Sequence, residues 1–203
     1  MTRVPRGEAR PRLLAAATDL IRRQGFAATS VDDLCAAAGV TKGAFFHHFP
    51  SKDALGAAVV DHWTETTGAM FAAHPYNSLS DPLDRVFAYI DLRRSLLDRP
   101  IPEFSCVAGT AVQETFHTHP AIRTAAEASI RSGAAHIRAH LAEALTRHSV
   151  PGVTAESLAL YMQVIVQGGI ITAKALDDVA PMRDALDHAE RYLRLLFNRP
   201  KSG

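Results

Sequence analysis

The 203-residue sequence predicts an all-α protein: an N-terminal three-helix unit containing a helix-turn-helix over residues 1–50, then a larger C-terminal helical domain over residues 51–203. Three observations carry that expectation. Apolar residues recur at helical spacing along most of the chain, and no valine-rich alternating segment reads as a strand. Glycine and proline fall where helices would begin or end. A chain of this length accommodates a small domain fused to a medium one.

Taken in order, Pro11 suits the first turn of a helix, and Leu13, Leu14, Ala17, Leu20 and Ile21 share one stripe before Gly25 stops it. Ser30 to Asp33 forms a capping box, with Asp in place of the usual Glu, and opens a short helix to about Ala37. Gly39-Val40 makes the turn, Thr41 caps another short helix, and Pro50 ends it near Phe49. Leu34, Ala37, Val40, Phe45 and Phe49 have the spacing to fill a small core between these helices. Ser51 reads as the N-cap of a long helix carrying Leu55, Val59, Trp63 and Met70. Ser80-Asp81-Pro82 restarts the chain, with Leu83, Val86, Phe87 and Ile90 on one face. A shorter helix holds Cys106 to Glu114, and another runs from Pro120 to about Arg147. Two more, roughly 154–176 and 181–197, close the sequence, the last with Pro181 in its first turn.

The 47% hydrophobic and 21% charged fractions match a folded soluble protein. No run of 18 apolar residues appears, which predicts no membrane span, and residues 1–12 are basic but lack the apolar stretch of a secretion signal. The two cysteines, Cys35 and Cys106, stand far apart, which argues against a disulfide framework and for a cytoplasmic setting. The net charge of +1 is uneven. Residues 1–52 carry eight Lys/Arg against four Asp/Glu, and the remainder carries fourteen against seventeen. A basic head on a mildly acidic body suits a polyanion at the head, or reflects only the arginine-rich start.

Residues 26–52 are where the sequence becomes specific. Two short helices joined through a glycine turn form a helix-turn-helix. In such a unit the second helix enters the major groove of DNA, and here it offers Lys42, Ala44, Phe46, His47 and His48 on its N-terminal and outer side. Gly25-Phe26, Thr29-Ser30, Asp33-Leu34, Ala38-Gly39-Val40, Thr41-Lys42-Gly43, His48-Phe49 and Ser51-Lys52 stand in the order of the N-terminal pattern of the TetR family, which the sequence resembles over its first quarter. It departs at Phe46, where the family usually has a tyrosine. The resemblance implies a DNA-contacting set of Ser30, Thr41, Lys42, Gly43, Ala44, Phe46, His47, His48 and Lys52. Thr41 reads both as a helix cap and as part of a phosphate site. Lys42 is expected to influence base preference, and Lys52 to hold a phosphate or lie in solvent. Phe46 either meets a thymine methyl or packs. Arg3, Arg6, Arg10 and Arg12 lie on the DNA backbone, in the minor groove, or in solvent.

For the remainder, the resemblance implies an interior pocket for a small-molecule effector and a homodimer made through the last two helices. Leu158, Tyr161, Met162, Ile165 and Gly169, with Met182, Leu186, Ala189, Leu193 and Leu196, read as two amphipathic helices suited to an intermolecular four-helix bundle or to burial within one chain, and Gly168-Gly169 would permit close approach. Trp63, Met70, Phe87, Phe104, Phe116, Tyr161 and Met162 are candidate pocket residues, each equally readable as core. His136 and His140 have zinc-compatible spacing but lack neighbouring ligand types, so no metal and no cofactor is expected. Ser105 to Glu114 resembles the G-C-L-x-G-x-L-A-x-E signature of a TetR branch that includes AcrR-like and NemR-like regulators, and Lys174 resembles a conserved-looking A-K of that branch. A lysine near a cysteine favours the reactive thiolate, so Cys106 with Lys174 reads as a sensor of oxidants or electrophiles, or Cys106 as a small buried hydrophobe.

The implied function is a ligand-responsive repressor that binds palindromic double-stranded operator DNA and is released by a small molecule or by an electrophile or oxidant. An enzyme is disfavoured, because no nucleotide-binding glycine loop, G-x-S-x-G or H-E-x-x-H is present. An architectural DNA-binding protein would carry more charge in the head and has no need of so large a body.

Overall fold

The computed structural model describes residues 8–148 and 150–200; Arg3 and Arg6 lie outside the described residues. Among the described residues the regular elements are helices: α1 (Ala9–Gln24), α2 (Val31–Ala38), α3 (Lys42–His48), α4 (Lys52–Ala72), α5 (Pro82–Ser95), α6 (Ile101–Phe104), α7 (Val107–Thr115), α8 (Pro120–Arg147), α9 (Ala155–Leu176) and α10 (Ala180–Leu196), with short 3-10 turns at Pro75–Ser78 and Leu96–Asp98.

Local chemistry sets most of these ends. α1 begins at Ala9, ahead of the sequence expectation, and Pro11 sits in its first turn, where a missing N–H costs no helical bond. Gly25, at φ 90°, stops it and donates to Ile21 O at 3.0 Å. The capping box of α2 is formed: Ser30 Oγ accepts from Asp33 N at 3.1 Å, and Asp33 Oδ2 accepts from Ser30 N at 2.9 Å. Gly39 takes the left-handed conformation (φ 64°, ψ 36°) at the end of α2. Thr41 Oγ1 caps α3 from Ala44 N at 3.2 Å, Ser51 Oγ caps α4 from Ala54 N at 3.1 Å, and Asp81 caps α5 from Leu83 N at 2.8 Å.

The packing follows a different line from the 1–50 and 51–203 division. One compact unit comprises Met1–Thr66 with Ser105–Ile130, and the other Thr67–Phe104 with Arg131–Gly203. α4 and α8 each contribute residues to both. In the first unit, Leu13, Leu14, Ala17 and Ile21 of α1 pack with Leu34, Cys35 and Ala38 of α2, Val40, Phe45 and Phe49, with Leu55, Val59 and Val60 of α4, and with residues of α7 and α8. Each large side chain so buried contributes about 1.5–3 kcal/mol. Ala37 is exposed, contrary to its expected place in this core, and Ala38 takes that place. The inward arc of α2 is centred between residues 34, 35 and 38, and residue 37 falls about a quarter-turn outside it.

In the second unit, Leu83, Val86, Phe87, Tyr89 and Ile90 of α5 are buried, and α5 is tied to α10 by charge. Arg94 donates to Asp187 at 2.8 Å and to the buried Glu190, which also accepts from Arg194 at 2.7 Å. Burial opposes the Glu190 charge, but the two guanidinium partners prevail and hold its carboxyl below the usual range. The α9–α10 contact is apolar, from Leu158, Met162, Val166, Ile170 and Ala173 to Met182, Leu186, Ala189 and Leu193. Gly169 permits it, since a Cβ there would lie 2.9 Å from Met182 Cγ. By length and composition α9 is apolar enough to cross a membrane, although the sequence shows no unbroken apolar run; its best 18-residue window has mean hydropathy 1.3 and is 44% buried.

Candidate nucleic-acid interface

α3 is fixed from below by Phe45, which is fully buried and lies 5.1 Å edge-to-face from Phe46 and 6.0 Å from Phe49. That anchoring turns Thr41, Lys42, Gly43, Phe46 and His47 outward; Ala44 and His48 are half-buried, and Ser30 at the head of α2 is exposed. Phe46 leaves 54% of its surface accessible, a cost that solvent alone does not offset. His47 and His48 stack edge-to-face at 5.0 Å. Gly43 has no internal reason to be glycine. Its φ is not positive, and an added Cβ would meet only Thr41 Oγ1, at 3.8 Å. Gly43 stands in the first turn of α3, and the space beside it is open to the outside of the chain.

The lysines are engaged in ways that the sequence did not reveal. Lys42 Nζ lies 2.7 Å from Asp32 Oδ1 on the preceding helix, and that hydrogen bond raises its pKa. Both partners are exposed, so the pair is weak enough for a DNA acceptor to displace. Half-buried Lys52 donates to Ala27 O at 3.2 Å and sits 4.5 Å from the centre of the Phe26 ring. Arg10 and Arg12 belong to α1 rather than to an extended tail. Arg10 lies over Phe49 at 5.6 Å, and the Arg12 guanidinium stands within 2.8 Å of the position a Cβ on Gly39 would take. Cys35 is buried, and burial pushes its thiol pKa up.

The nine candidate pocket residues are divided. Trp63, Cys106 and Phe116 belong to the first unit, and Met70, Phe87, Phe104, Tyr161, Met162 and Lys174 to the second. Met70 (40% accessible), Phe116 (51%) and Lys174 lie on the surface of the described chain, which corrects their expected place in an interior. On α4 the inward position is Phe71, one residue beyond Met70. Met162 and Phe87 are core, with Arg194 stacked on Phe87 at 3.9 Å. Trp63 is half-buried under Arg22, Phe104 is half-buried, and Tyr161 packs on Tyr192 at 5.3 Å. Cys106 is half-buried at the N-cap of α7, its Sγ accepting from Gly109 N at 3.4 Å. A cavity of about 500 Å³ lies elsewhere, along the C-terminal end of α10, and is lined by Asp187, Glu190, Arg191, Arg194, Leu195, Asn198, Arg199 and Pro200.

Of the polar groups inside the second unit, the sequence singled out His136 and His140 alone, and for their spacing rather than for their partners. Arg93 donates twice to Tyr89 Oη, at 3.0 and 2.8 Å, and stacks on Phe71 at 4.4 Å. Gln163, nine-tenths buried, has an Nε2 with no hydrogen-bond partner. His136 stacks on Phe71, while His140 meets Asn77 at 3.1 Å and Arg85 at 3.4 Å. Burial lowers the pKa of both histidines, helped by Arg93 for His136 and Arg85 for His140. Single apolar periods carry no trace of such clusters, because their members come from three separate helices.

A buried scaffold that presents the outer side of a short second helix, through a left-handed glycine turn, defines a helix-turn-helix DNA-binding protein. Residues 13–59 match the model of the bacterial regulatory proteins of the tetR family, and residues 82–189 match the tetracyclin repressor-like C-terminal domain. The chain belongs to the TetR family, whose members are transcriptional regulators and not enzymes. It is 40% identical over 94 residues to an HTH-type transcriptional repressor of Mycobacterium tuberculosis, an alignment covering 46% of this chain and 49% of that protein. The chain thus spans about half the length of the curated relatives it matches first. Over nearly its full length it is similar to the crystal structure of a TetR regulator from Chloroflexus aurantiacus (30% identity, TM-score 0.77, covering 92% and 94% of the two chains) and shares the fold of the reduced form of E. coli NemR (24%, 0.75, 90% and 96%).

Proposed function

We propose that the protein is a cytoplasmic repressor that binds palindromic operator DNA as a homodimer, α3 of each protomer entering a major groove, and leaves the DNA when a small molecule, electrophile or oxidant acts on the body. The observation that carries the DNA-binding part is the outward face of α3, the second helix of the helix-turn-helix: exposed Phe46 and Lys42 stand beside Gly43, whose Cβ direction is open, so that an external partner can approach the backbone closely.

The dimer is supported by a face other than the one read from the sequence. Leu158, Met162, Gly169, Met182, Leu186, Ala189 and Leu193 are spent inside the chain. The opposite side of α9 exposes Val164 (68%) and Ile171 (47%) around Gly168, whose Cβ direction is open, Leu176 (62%) is exposed at the end of the helix, and α10 exposes Tyr192 and Leu195 (77%). Residues 161, 164, 168 and 171 repeat at three- and four-residue steps, the seam a second helix pair would cover. Covering this seam also accounts for the apolar character of α9 without a bilayer.

Release by ligand requires that the effector favour a state whose two recognition helices are not one DNA turn apart, about 34–36 Å. An oxidant or electrophile as effector is supported by half-buried Cys106 at a helix end, together with the likeness to NemR, a protein crystallised in a form described as reduced. Sequencing the genomic fragments retained by purified protein tests the reading: a few promoter-borne inverted repeats are expected, and a uniform genome-wide sample would refute it. On such a fragment, hypochlorite should release the wild type but not Cys106→Ser. Equal release of both would remove Cys106 from the response.

A further inference from the structure

The turn that joins α1 to α2 is gripped at a single residue, Ala27, by side chains from two other helices. Ala27 N donates to Glu114 Oε2 on α7 at 2.7 Å, and Ala27 O accepts from Lys52 Nζ on α4 at 3.2 Å. The turn is closed from within as well, since Thr29 Oγ1 donates to Gly25 O at 2.7 Å. Glu114 stands 87 residues away in sequence and approaches so closely that a Cβ on Gly25 would lie 2.1 Å from its Oε1. Gly25 is therefore required twice, for its φ of 90° and for the space the carboxylate occupies. Lys52 adds a second hold through the Phe26 ring, on the residue before Ala27.

We propose that Glu114 and Lys52 are positioning residues for DNA recognition: together they grip Ala27, one through its N–H and the other through its C=O, and so fix the two successive peptides by which the chain enters α2 and then α3. Neither side chain has to touch DNA for this. Ala27 precedes Ser30, the cap of α2, by three residues, so a turn left free at Ala27 lets the helix-turn-helix adopt several orientations, of which DNA selects one. The grip is made of exposed, charge-assisted hydrogen bonds, which weigh little in global stability and much in local orientation. This assigns Lys52 a role different from a phosphate contact, and it assigns Glu114, which the sequence placed merely at the end of a helix, to the working of the head.

The proposal rests on the DNA-binding reading, and its test separates the two. The wild type is first given a duplex selected from random sequence; if none is selected, the DNA-binding reading itself fails. On the selected duplex, Glu114→Ala and Lys52→Ala should each bind about tenfold more weakly, with the slope of log affinity against log salt unchanged and with non-specific duplex bound as by wild type. The double variant should lose little more than either single one, because loss of either bond already lets Ala27 reorient. Glu114→Gln, whose amide oxygen still accepts from Ala27 N, should bind within about twofold of wild type. Wild-type affinity in Glu114→Ala overturns the proposal. So do additive losses with a Lys52→Ala slope flattened by about one unit, which is the mark of a phosphate contact.

Discussion

At the scale of single residues, the interface is defined by what the fold does not use. Gly43 and Phe46 are left to the outside, as open backbone and half-exposed ring surface, and Lys42 is paired with an exposed Asp32 that a stronger acceptor can replace. Gly43→Ala separates structural from functional demand because the two effects have opposite signs. The substitution should stabilise the fold by roughly 0.5–1 kcal/mol, seen as a rise in Tm, because alanine suits a helix and meets open space. It should weaken operator binding, because the methyl occupies the room a groove wall needs. A variant both less stable and unchanged in binding would contradict this. The motif residues were legible in the sequence because capping, turn and recognition chemistry are local. The partners of Lys42 and Lys52 were not, since Asp32 and the Ala27 carbonyl become neighbours only once the helices fold against one another.

At the scale of elements, most boundaries could be read beforehand. The reach of α8 from Pro120 to Arg147 follows from a proline start and an unbroken period, and the box at Ser30 opens α2 where the sequence puts it. α6 and the two 3-10 turns were missed because three or four residues cannot display a helical period. The stripe on α9 was left with two readings for a different reason: both faces are apolar, and periodicity finds an apolar stripe without saying whether the same chain or a second one covers it. α8 adds a pH dependence. His136 and His140 are held neutral in the fold, with pKa values below the usual 6.5, so the unfolded chain binds more protons just below that pH. Stability should therefore fall as pH drops below about 6.5, well above the range where the carboxylates titrate. In His136→Phe, which keeps the stacking on Phe71, the Tm profile between pH 7 and 5 should be flatter. An equally steep profile would place the dependence elsewhere.

At the scale of the whole molecule, family membership, the outward face of α3 and the uncovered seam of α9 and α10 bear on one activity, two copies of the helix-turn-helix acting on one duplex. Charge placed on the seam should separate the copies: Val164→Glu with Leu195→Glu should sediment as a monomer of 21.9 kDa and lose operator binding while keeping its helical signal. A doubly substituted protein that remains a dimer would move the interface to another face. The most direct measurement for DNA recognition by two copies is selection of wild-type ligands from a pool of random duplexes. We expect the enriched sequences to be inverted repeats with half-site centres about 10 base pairs, one helical turn, or a multiple of it apart, bound with an affinity that falls steeply as salt rises. A pool that stays random, or one that enriches a single unrepeated site, would contradict a symmetric dimer reading DNA through α3.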